Sequence, residues 1–158
     1  MDNDLFFMKE ALKEAKKSFE KDEVPVGAVL VFQGKIIARG HNEVELLKDA
    51  TAHAEMICLT SGAAALDNWR LTGCTLFCTL EPCAMCAGAI LASRVDRLVW
   101  GAPDIRLGAN GSWVDLFNEN HPMHSVEVKG RVLEDESAYL LKKFFEKKRK
   151  SKRLSREK

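Results

Sequence analysis

Residues 75–93 read TLFCTLEPCAMCAGAILAS and join a β-rich apolar run to a helical run through one proline. The first six residues are typical of a buried strand. Pro82 opens a helix over about 83–93, because proline is tolerated in the first turn of a helix. Cys83 and Cys86 are three residues apart in that helix, so their sulfurs project from the same face. The stretch therefore predicts a strand that delivers two thiols to the start of a helix.

The residues before this stretch show first a helical and then a strand periodicity. Apolar residues three and four apart indicate one face of an amphipathic helix, whereas short β-branched runs around a turn indicate a hairpin. The first predicted element is a helix with one apolar face formed by Leu5, Met8, Leu12, Ala15 and Phe19. Strands over 26–32 and 35–39 follow, joined by a turn at Gln33-Gly34. After a loop over 41–50, a second helix runs over about 52–65; Asp49 or Thr51 caps it and Asp67-Asn68 ends it.

The residues after the stretch complete an α/β domain. They predict a strand over 97–100, a glycine-rich loop over 101–112, a short helical piece over 113–117, a short strand around 126–132, and a last helix from about Asp135 into a basic tail. An initial hairpin gives antiparallel pairing, and later helical crossovers favour parallel pairing. We therefore expect a three-layer α/β/α fold with a mixed five-stranded sheet.

Length and composition indicate one globular domain. The chain has 158 residues, of which 46% are hydrophobic and 30% charged, values that fit a single core. No apolar run approaches the ~20 residues that a membrane-spanning helix needs. The acidic start over residues 1–4 lacks the basic-then-apolar order of a signal peptide. We expect a cytoplasmic protein with no membrane contact, a domain over 1–150 and a basic tail over 151–158.

The charge is unevenly distributed along the chain. Residues 142–158 contain ten Lys/Arg and two Glu, a net charge of +8, whereas residues 1–141 contain fourteen Lys/Arg and twenty-one Asp/Glu, a net charge of −7. A basic tail on an acidic body suggests an anionic partner, nucleic acid first. The alternative is a solvated tail that only improves solubility.

The cysteine count favours metal binding over disulfides. Five cysteines form an odd set, and the chain shows no targeting segment. We assign Cys83 and Cys86 to a metal, and interpret the other three as small core residues; these are Cys58, Cys74 and Cys78.

A second motif, His53-Ala54-Glu55, lies about thirty residues before the cysteine pair. One His and two Cys are three soft ligands, which suit Zn²⁺. Catalytic zinc uses three protein ligands and keeps its fourth position for a water molecule. The bound zinc lowers the pKa of that water toward ~7. Glu55 could move that water's protons. A structural zinc site needs a fourth protein ligand; the candidates for that alternative are His41, His121 and His124.

The chain resembles the bacterial tRNA adenosine deaminases of the TadA type, within the cytidine-deaminase-like superfamily. The resemblance covers nearly the whole chain. The matching stretches are Val24–Val29, Gly40–Asn42, Thr51–Glu55, Thr79–Ile90, Gly101–Asp104 and the pair Phe144-Phe145. It implies one zinc ion per chain, a tRNA anticodon stem-loop as substrate, and a homodimer. The family often has Lys where this chain has Arg106.

The resemblance also implies roles for individual residues. His53, Cys83 and Cys86 would bind zinc, and Glu55 would be the proton shuttle. The implied substrate contacts are Asn42 to the flipped base, Asp104 to the nucleotide sugar or backbone, Val24, Pro25 and Leu80 as pocket lining, and Phe144 near the anticodon loop. Simpler roles compete with these: a loop-capping Asn, a turn Asp, and plain core for the apolar residues.

The expected function is hydrolytic deamination of the wobble adenosine of a tRNA anticodon to inosine. Two alternatives stay open. One is a free-base or nucleotide deaminase acting on guanine or cytosine, which needs no basic tail. The other is a non-catalytic, zinc-stabilised RNA-binding module, which has no use for an acid beside an open metal position.

Overall fold

A computed structural model describes residues 3–118 and 121–157 of the chain. Met1, Asp2 and Lys158, which belong to the predicted N-terminal start and basic tail, lie outside the described residues. The elements are α1 Asp4–Glu20, β1 Gly27–Phe32, β2 Lys35–His41, α2 Val44–Leu47, α3 Ala54–Leu66, β3 Cys74–Leu80, α4 Ala84–Ala92, β4 Arg97–Ala102, β5 Glu127–Lys129 and α5 Glu134–Arg156.

The five strands form one mixed sheet in the order β2-β1-β3-β4-β5. β1 is antiparallel to both β2 and β3, and β3, β4 and β5 are parallel to one another. The hairpin turns at Gln33 and Gly34, which both adopt positive φ, the conformation that two-residue hairpin turns need. The predicted mixed five-stranded sheet is therefore confirmed.

The sheet separates two hydrophobic layers. Alternate residues of one strand face opposite sides, so Val29 of β1 packs with Met8 and Phe7 of α1, whereas Leu30 packs with the α3 and α4 side. α5 lies beside α1, where the Phe144 ring approaches that of Phe19. The result is the expected three-layer arrangement, with α3 and α4 bringing their N-termini to one edge of the sheet.

The buried face of α1 includes Met8, Leu12 and Ala15, as predicted, but differs from the prediction in its first turn. Leu5 is 56% exposed, whereas Phe7 and Ala11 are buried, so the prediction that Leu5 belongs to the apolar face is wrong. Asp4, the residue before Leu5, is buried, and its carboxylate accepts two hydrogen bonds from Arg97 at the start of β4. A long-range ion pair therefore joins the first turn of α1 to the sheet.

Three local predictions are also wrong. The loop over 41–50 contains the short helix α2. His53 occupies the N-cap position of α3 without a side-chain capping hydrogen bond, and Asp49 accepts hydrogen bonds from the backbone and hydroxyl of Thr51 instead of capping α3. Residues 113–117 form turns, with an isolated bridge between Asn110 and Asp115, because the backbone donors nearby bond to side chains and to other loop residues.

The C-terminal helix continues through the basic tail. α5 runs from Glu134 to Arg156 without a break at the boundary predicted between 150 and 151. The division into 1–150 and 151–158 therefore stays a prediction about function. Within the described ranges, no helix combines the length and the apolar character that crossing a bilayer requires.

Candidate active site

The three predicted zinc ligands meet at the N-termini of two neighbouring helices. His53 is the N-cap of α3 and Cys83 the N-cap of α4, both with extended backbone, and Cys86 follows in the first turn of α4. The free N–H groups and positive dipole end of a helix start stabilise negative charge nearby. The two helix starts therefore favour the thiolate forms that bind metal.

The distances between the ligand atoms match a tetrahedral zinc site. His53 Nδ1 lies 3.6 Å from Cys83 Sγ and 3.5 Å from Cys86 Sγ, and all three ligand atoms lie within 4.8 Å of one another. Tetrahedral bonds of about 2.0 Å to nitrogen and about 2.3 Å to sulfur give an N···S edge of about 3.5 Å. The donor set and its geometry therefore fit Zn²⁺.

No fourth protein ligand joins this cluster among the residues that the structure describes. His41 Nε2 lies 3.0 Å from Glu43 Oε1, and His124 Nε2 lies 2.7 Å from the Val95 carbonyl oxygen. His121 accepts hydrogen bonds from two backbone N–H groups. The proposed structural site with one of these histidines as fourth ligand is therefore not formed, and one tetrahedral position stays available.

The thiol pKa values differ strongly in the absence of an ion. A hydrogen bond from Cys86 lowers the pKa of Cys83 to about 4, and the same hydrogen bond together with burial raises the pKa of Cys86. The contact with Cys83 raises the pKa of His53. Hydrogen bonds thus link the three side chains to one another. A divalent cation bound between them would replace the protons in these hydrogen bonds.

Glu55 lies in the first turn of α3, beside the cluster. Its side chain is buried, with 4% of the residue exposed, and desolvation raises the pKa of its carboxyl. Together with His53 and Cys83 it lines the base of a cavity of about 1000 Å³. A carboxyl whose pKa is raised above its ordinary value is easier to protonate, and a carboxyl beside the reacting groups can accept and donate a proton.

The predicted substrate contacts are distributed unevenly around this cavity. Those that line it are Val24, Asn42, Leu80, Asp104 and Phe144, whereas Pro25 is buried and is not among the lining residues. The cavity also extends to an exposed basic residue, Arg106. Three parts of the chain form its walls: the segment around α2, the loop that follows β4, and one side of α5.

Asn42 has the loop-fixing role that the sequence offered as the alternative, and the predicted contact to the base stays a prediction. It lines the cavity, and its side chain donates to the Val24 carbonyl oxygen at 3.2 Å and accepts from the Val44 N–H at 3.4 Å. The amide carries a second N–H and a second lone pair. Asn42 therefore fixes the loop and still has hydrogen-bonding capacity for a ligand.

Phe144 is mainly a core residue. It is 4% exposed and its ring packs 6.1 Å from that of Phe19 and 5.4 Å from that of Phe145. Phe145, which also lines the cavity, is 42% exposed. The exposed member of the pair is the better candidate for a base contact.

Sequence reasoning missed two buried glutamates that hold the cavity walls. The Glu23 carboxylate accepts hydrogen bonds from the N–H groups of Glu45 at 2.9 Å and Leu46 at 2.8 Å, at the start of α2. Glu81 accepts from the N–H of Asp104 at 3.1 Å, in the opposite wall. A charged residue directly beside an apolar strand was the only sequence signal for Glu81.

The remaining cysteines are core residues, as predicted. Cys58, Cys74 and Cys78 are fully buried. Burial raises the pKa of Cys74 to about 11 and the pKa values of Cys58 and Cys78 as well. They therefore stay protonated and do not compete for the metal.

Comparisons with known proteins agree with this geometry. Residues 1–102 match the family model of the cytidine and deoxycytidylate deaminase zinc-binding region. The chain is 49% identical to the tRNA-specific adenosine deaminase of Bacillus subtilis, covering 99% of this chain and 97% of that protein. It is 54% identical to the chloroplastic tRNA(adenine(34)) deaminase of Arabidopsis thaliana over 90% of this chain, but it spans only 12% of that protein's length.

Solved structures of deaminases also resemble the fold of this chain. A structure from work on A-to-I editing by tRNA:A34 deaminases at the wobble position of transfer RNA superposes with a TM-score of 0.83 at 46% identity, covering 86% of this chain and 99% of that one. A guanine deaminase from Nitrosomonas europaea superposes with a TM-score of 0.78 at 26% identity, covering 89% and 83%.

Proposed function

The chain belongs to the zinc-dependent deaminase family of the cytidine and deoxycytidylate deaminase zinc-binding region, and on that premise we propose that it converts the wobble adenosine of a tRNA anticodon to inosine. The observation that carries the proposal is the His53–Cys83–Cys86 cluster beside a buried Glu55 at the base of a large cavity. The similarity to tRNA adenosine deaminases along nearly the whole chain supports the choice of substrate.

The chain's own residues divide the reaction between them. His53, Cys83 and Cys86 would hold one zinc ion, which supplies Lewis-acid activation of water when bound. Glu55 accepts a proton from the attacking water and delivers protons to the adenine ring nitrogen and the departing amino group. Water adds to the amino-bearing carbon, the carbon–nitrogen bond breaks, ammonia leaves, and the carbonyl of inosine is formed.

The surface around the cavity suits a single-stranded RNA loop. Arg106 and Lys148 line its mouth, and the basic residues of α5 continue outward from there. Unstacked bases of an RNA loop can enter a pocket that a paired base cannot reach. We propose that the anticodon base enters the cavity while these cations contact the flanking phosphates.

Self-association is a further part of the proposal. The outer side of α3 and α4 leaves apolar side chains half-exposed, among them Met56, Ile57 and Met85. Apolar surface of this kind is typical of subunit contacts, which supports the homodimer that the family resemblance implies. Light scattering would measure the mass in solution. The cytoplasmic location stays a prediction.

The decisive experiment measures inosine in an anticodon stem-loop treated with purified protein, beside free adenosine, guanine and cytosine. We expect inosine at the wobble position and little turnover of the free compounds. Preferential release of ammonia from guanine or cytosine would favour the free-base alternative. Zinc binding and RNA binding without turnover of any of these compounds would favour the non-catalytic module.

A further inference from the structure

Glu81 is a buried carboxylate that the proposed reaction does not use. It follows β3 directly and is 1% exposed. Placing a carboxylate in a protein interior costs several kcal/mol unless hydrogen bonds compensate for the lost water. The hydrogen-bond partners of the Glu81 carboxylate therefore indicate its role at this position.

Among the residues that the structure describes, the donors to this carboxylate all come from one loop. Oε1 accepts from the Asp104 N–H at 3.1 Å and the Ser112 hydroxyl at 2.5 Å. Oε2 accepts from the N–H groups of Asn110 at 2.8 Å and Ser112 at 3.4 Å. The loop thus wraps its backbone around a single side chain, and both ends of the segment 104–112 are attached to it.

Backbone contacts hold the same loop against the zinc-ligand segment. The Ala109 N–H donates to the Pro82 carbonyl oxygen at 2.8 Å, and the Glu81 N–H donates to the Ala102 carbonyl oxygen at 2.8 Å. Gly108 has no room for a side chain, because a Cβ there would lie 2.2 Å from Glu81 Cδ. The close approach requires glycine at this position.

The residues between the two attachment points form one wall of the cavity. The lining residues from this part of the loop are Pro103, Asp104, Ile105, Arg106 and Leu107. Ile105 is 81% and Leu107 is 55% exposed, so little packing holds this part of the loop. Its position therefore depends on hydrogen bonds, those to Glu81 at its ends and those of its own backbone to Asp104 and Pro82.

We propose that Glu81 is a positioning residue that fixes this wall for substrate binding. The inference rests on the proposed function, because the wall is taken to contact the RNA around the reacting base. Glu81 is itself among the residues that line the cavity, but each of its oxygens already accepts two hydrogen bonds from the loop, so we assign it no proton transfer. Its loss affects the affinity for RNA far more than the chemical step.

The test variant is Glu81→Gln, which keeps the size of the side chain. The Gln amide retains one accepting oxygen and turns the other position into a donor, so at least one backbone N–H of the loop loses its acceptor. We expect hydrogen-exchange protection at the loop amides to fall at least ~10-fold. For an anticodon stem-loop, KM should rise at least ~10-fold with kcat changed less than ~3-fold.

Glu14→Gln is the matched control. Glu14 is also a buried carboxylate, 2% exposed, but its partners are Lys17, Arg39 and His41, none of which lines the cavity. It should change neither the exchange of the 104–112 amides nor KM. Ser112→Ala removes only the hydroxyl donor and should give a smaller change in the same direction, which keeps the test open if Glu81→Gln fails to fold.

The outcomes are separable. Unchanged loop exchange in both Glu81→Gln and Ser112→Ala would overturn the proposal, as would faster exchange with an unchanged KM. If Glu14→Gln lost as much hydrogen-exchange protection in the loop as Glu81→Gln, the change would reflect general destabilisation of the fold, and the proposal would fail. If the wild-type protein forms no inosine, the proposed function fails, but hydrogen exchange still tests whether Glu81 holds the loop.

Discussion

The base and the walls of the cavity are built in different ways. The base consists of side chains at the starts of α3 and α4, two helices that pack on the sheet through a continuous core. Besides α5, the walls are two segments whose backbone is held by single buried carboxylates, the segment around α2 by Glu23 and the loop after β4 by Glu81. The reacting groups are therefore placed by rigid elements, and the substrate-contacting groups by a few hydrogen bonds. Changes to the base should abolish chemistry, whereas changes to the walls should alter recognition.

Metal removal should have the largest effect and tests whether the base is catalytic or structural. Chelation, or Cys86→Ala, should reduce deamination to background while circular dichroism stays nearly unchanged, because α3 and α4 are held by the core. Added zinc should restore the chelated protein but not Cys86→Ala. Cys58→Ala, at a buried thiol outside the cluster, should retain one zinc per chain by elemental analysis. Unfolding on chelation would contradict a catalytic site.

Glu55→Gln should have the next largest effect. The amide fits the buried position but cannot exchange protons, so kcat should fall by about 10²–10⁴, with zinc content and RNA affinity retained. Single-turnover inosine formation and a binding titration measure the two properties. Turnover close to wild type would show that another group moves the protons.

Phe144 and Phe145 are neighbours on α5 with different environments: Phe144 lies in the core, and Phe145 is an exposed part of the cavity wall. Phe144→Ala should lower the free energy of unfolding by about 3–5 kcal/mol, because a buried ring is lost. Phe145→Ala should barely change thermal stability but weaken binding of an anticodon stem-loop by about 1–3 kcal/mol, if a base stacks on it. Thermal unfolding and RNA titration of both variants distinguish the roles. A stronger binding loss in Phe144→Ala, at temperatures where it is folded, would restore the original assignment of that residue.

Truncation of residues 151–158 should have the smallest effect. It removes Lys152, Arg153, Arg156 and Lys158 together with Glu157, a net loss of three positive charges, and leaves the base and the walls intact. The rate on saturating RNA should stay nearly unchanged, and the salt dependence of binding should become shallower by up to ~0.7 in log–log slope per lost single-strand contact. Unchanged affinity and slope would mean that this segment is only a solvated end of α5.

Much of the base of the site could be predicted from the sequence. His53-Ala54-Glu55 and Cys83-Ala84-Met85-Cys86 are local motifs at helix starts, and proline and β-rich runs locate those starts within a residue or two. Pairing of the two motifs followed from zinc chemistry, since one His and two Cys leave a position for water. The alternation of apolar residues in the strands likewise predicted the layers of the fold, because period-two patterns place side chains on opposite faces.

The walls depended on the tertiary structure. Glu23 contacts residues 22 and 23 positions away, and Glu81 contacts residues up to 31 positions away, and no local pattern indicates which buried acid accepts from which loop. The same reason explains why α2 was missed and why residues 113–117 were predicted as helix. It applies also to the first turn of α1, where Asp4 is buried against Arg97, 93 residues away, and Leu5 is exposed. The sequence by itself determined the chemistry and the order of elements, because these follow from neighbouring residues. Only the folded chain decided how the cavity is shaped, because that shape rests on hydrogen bonds between distant ones.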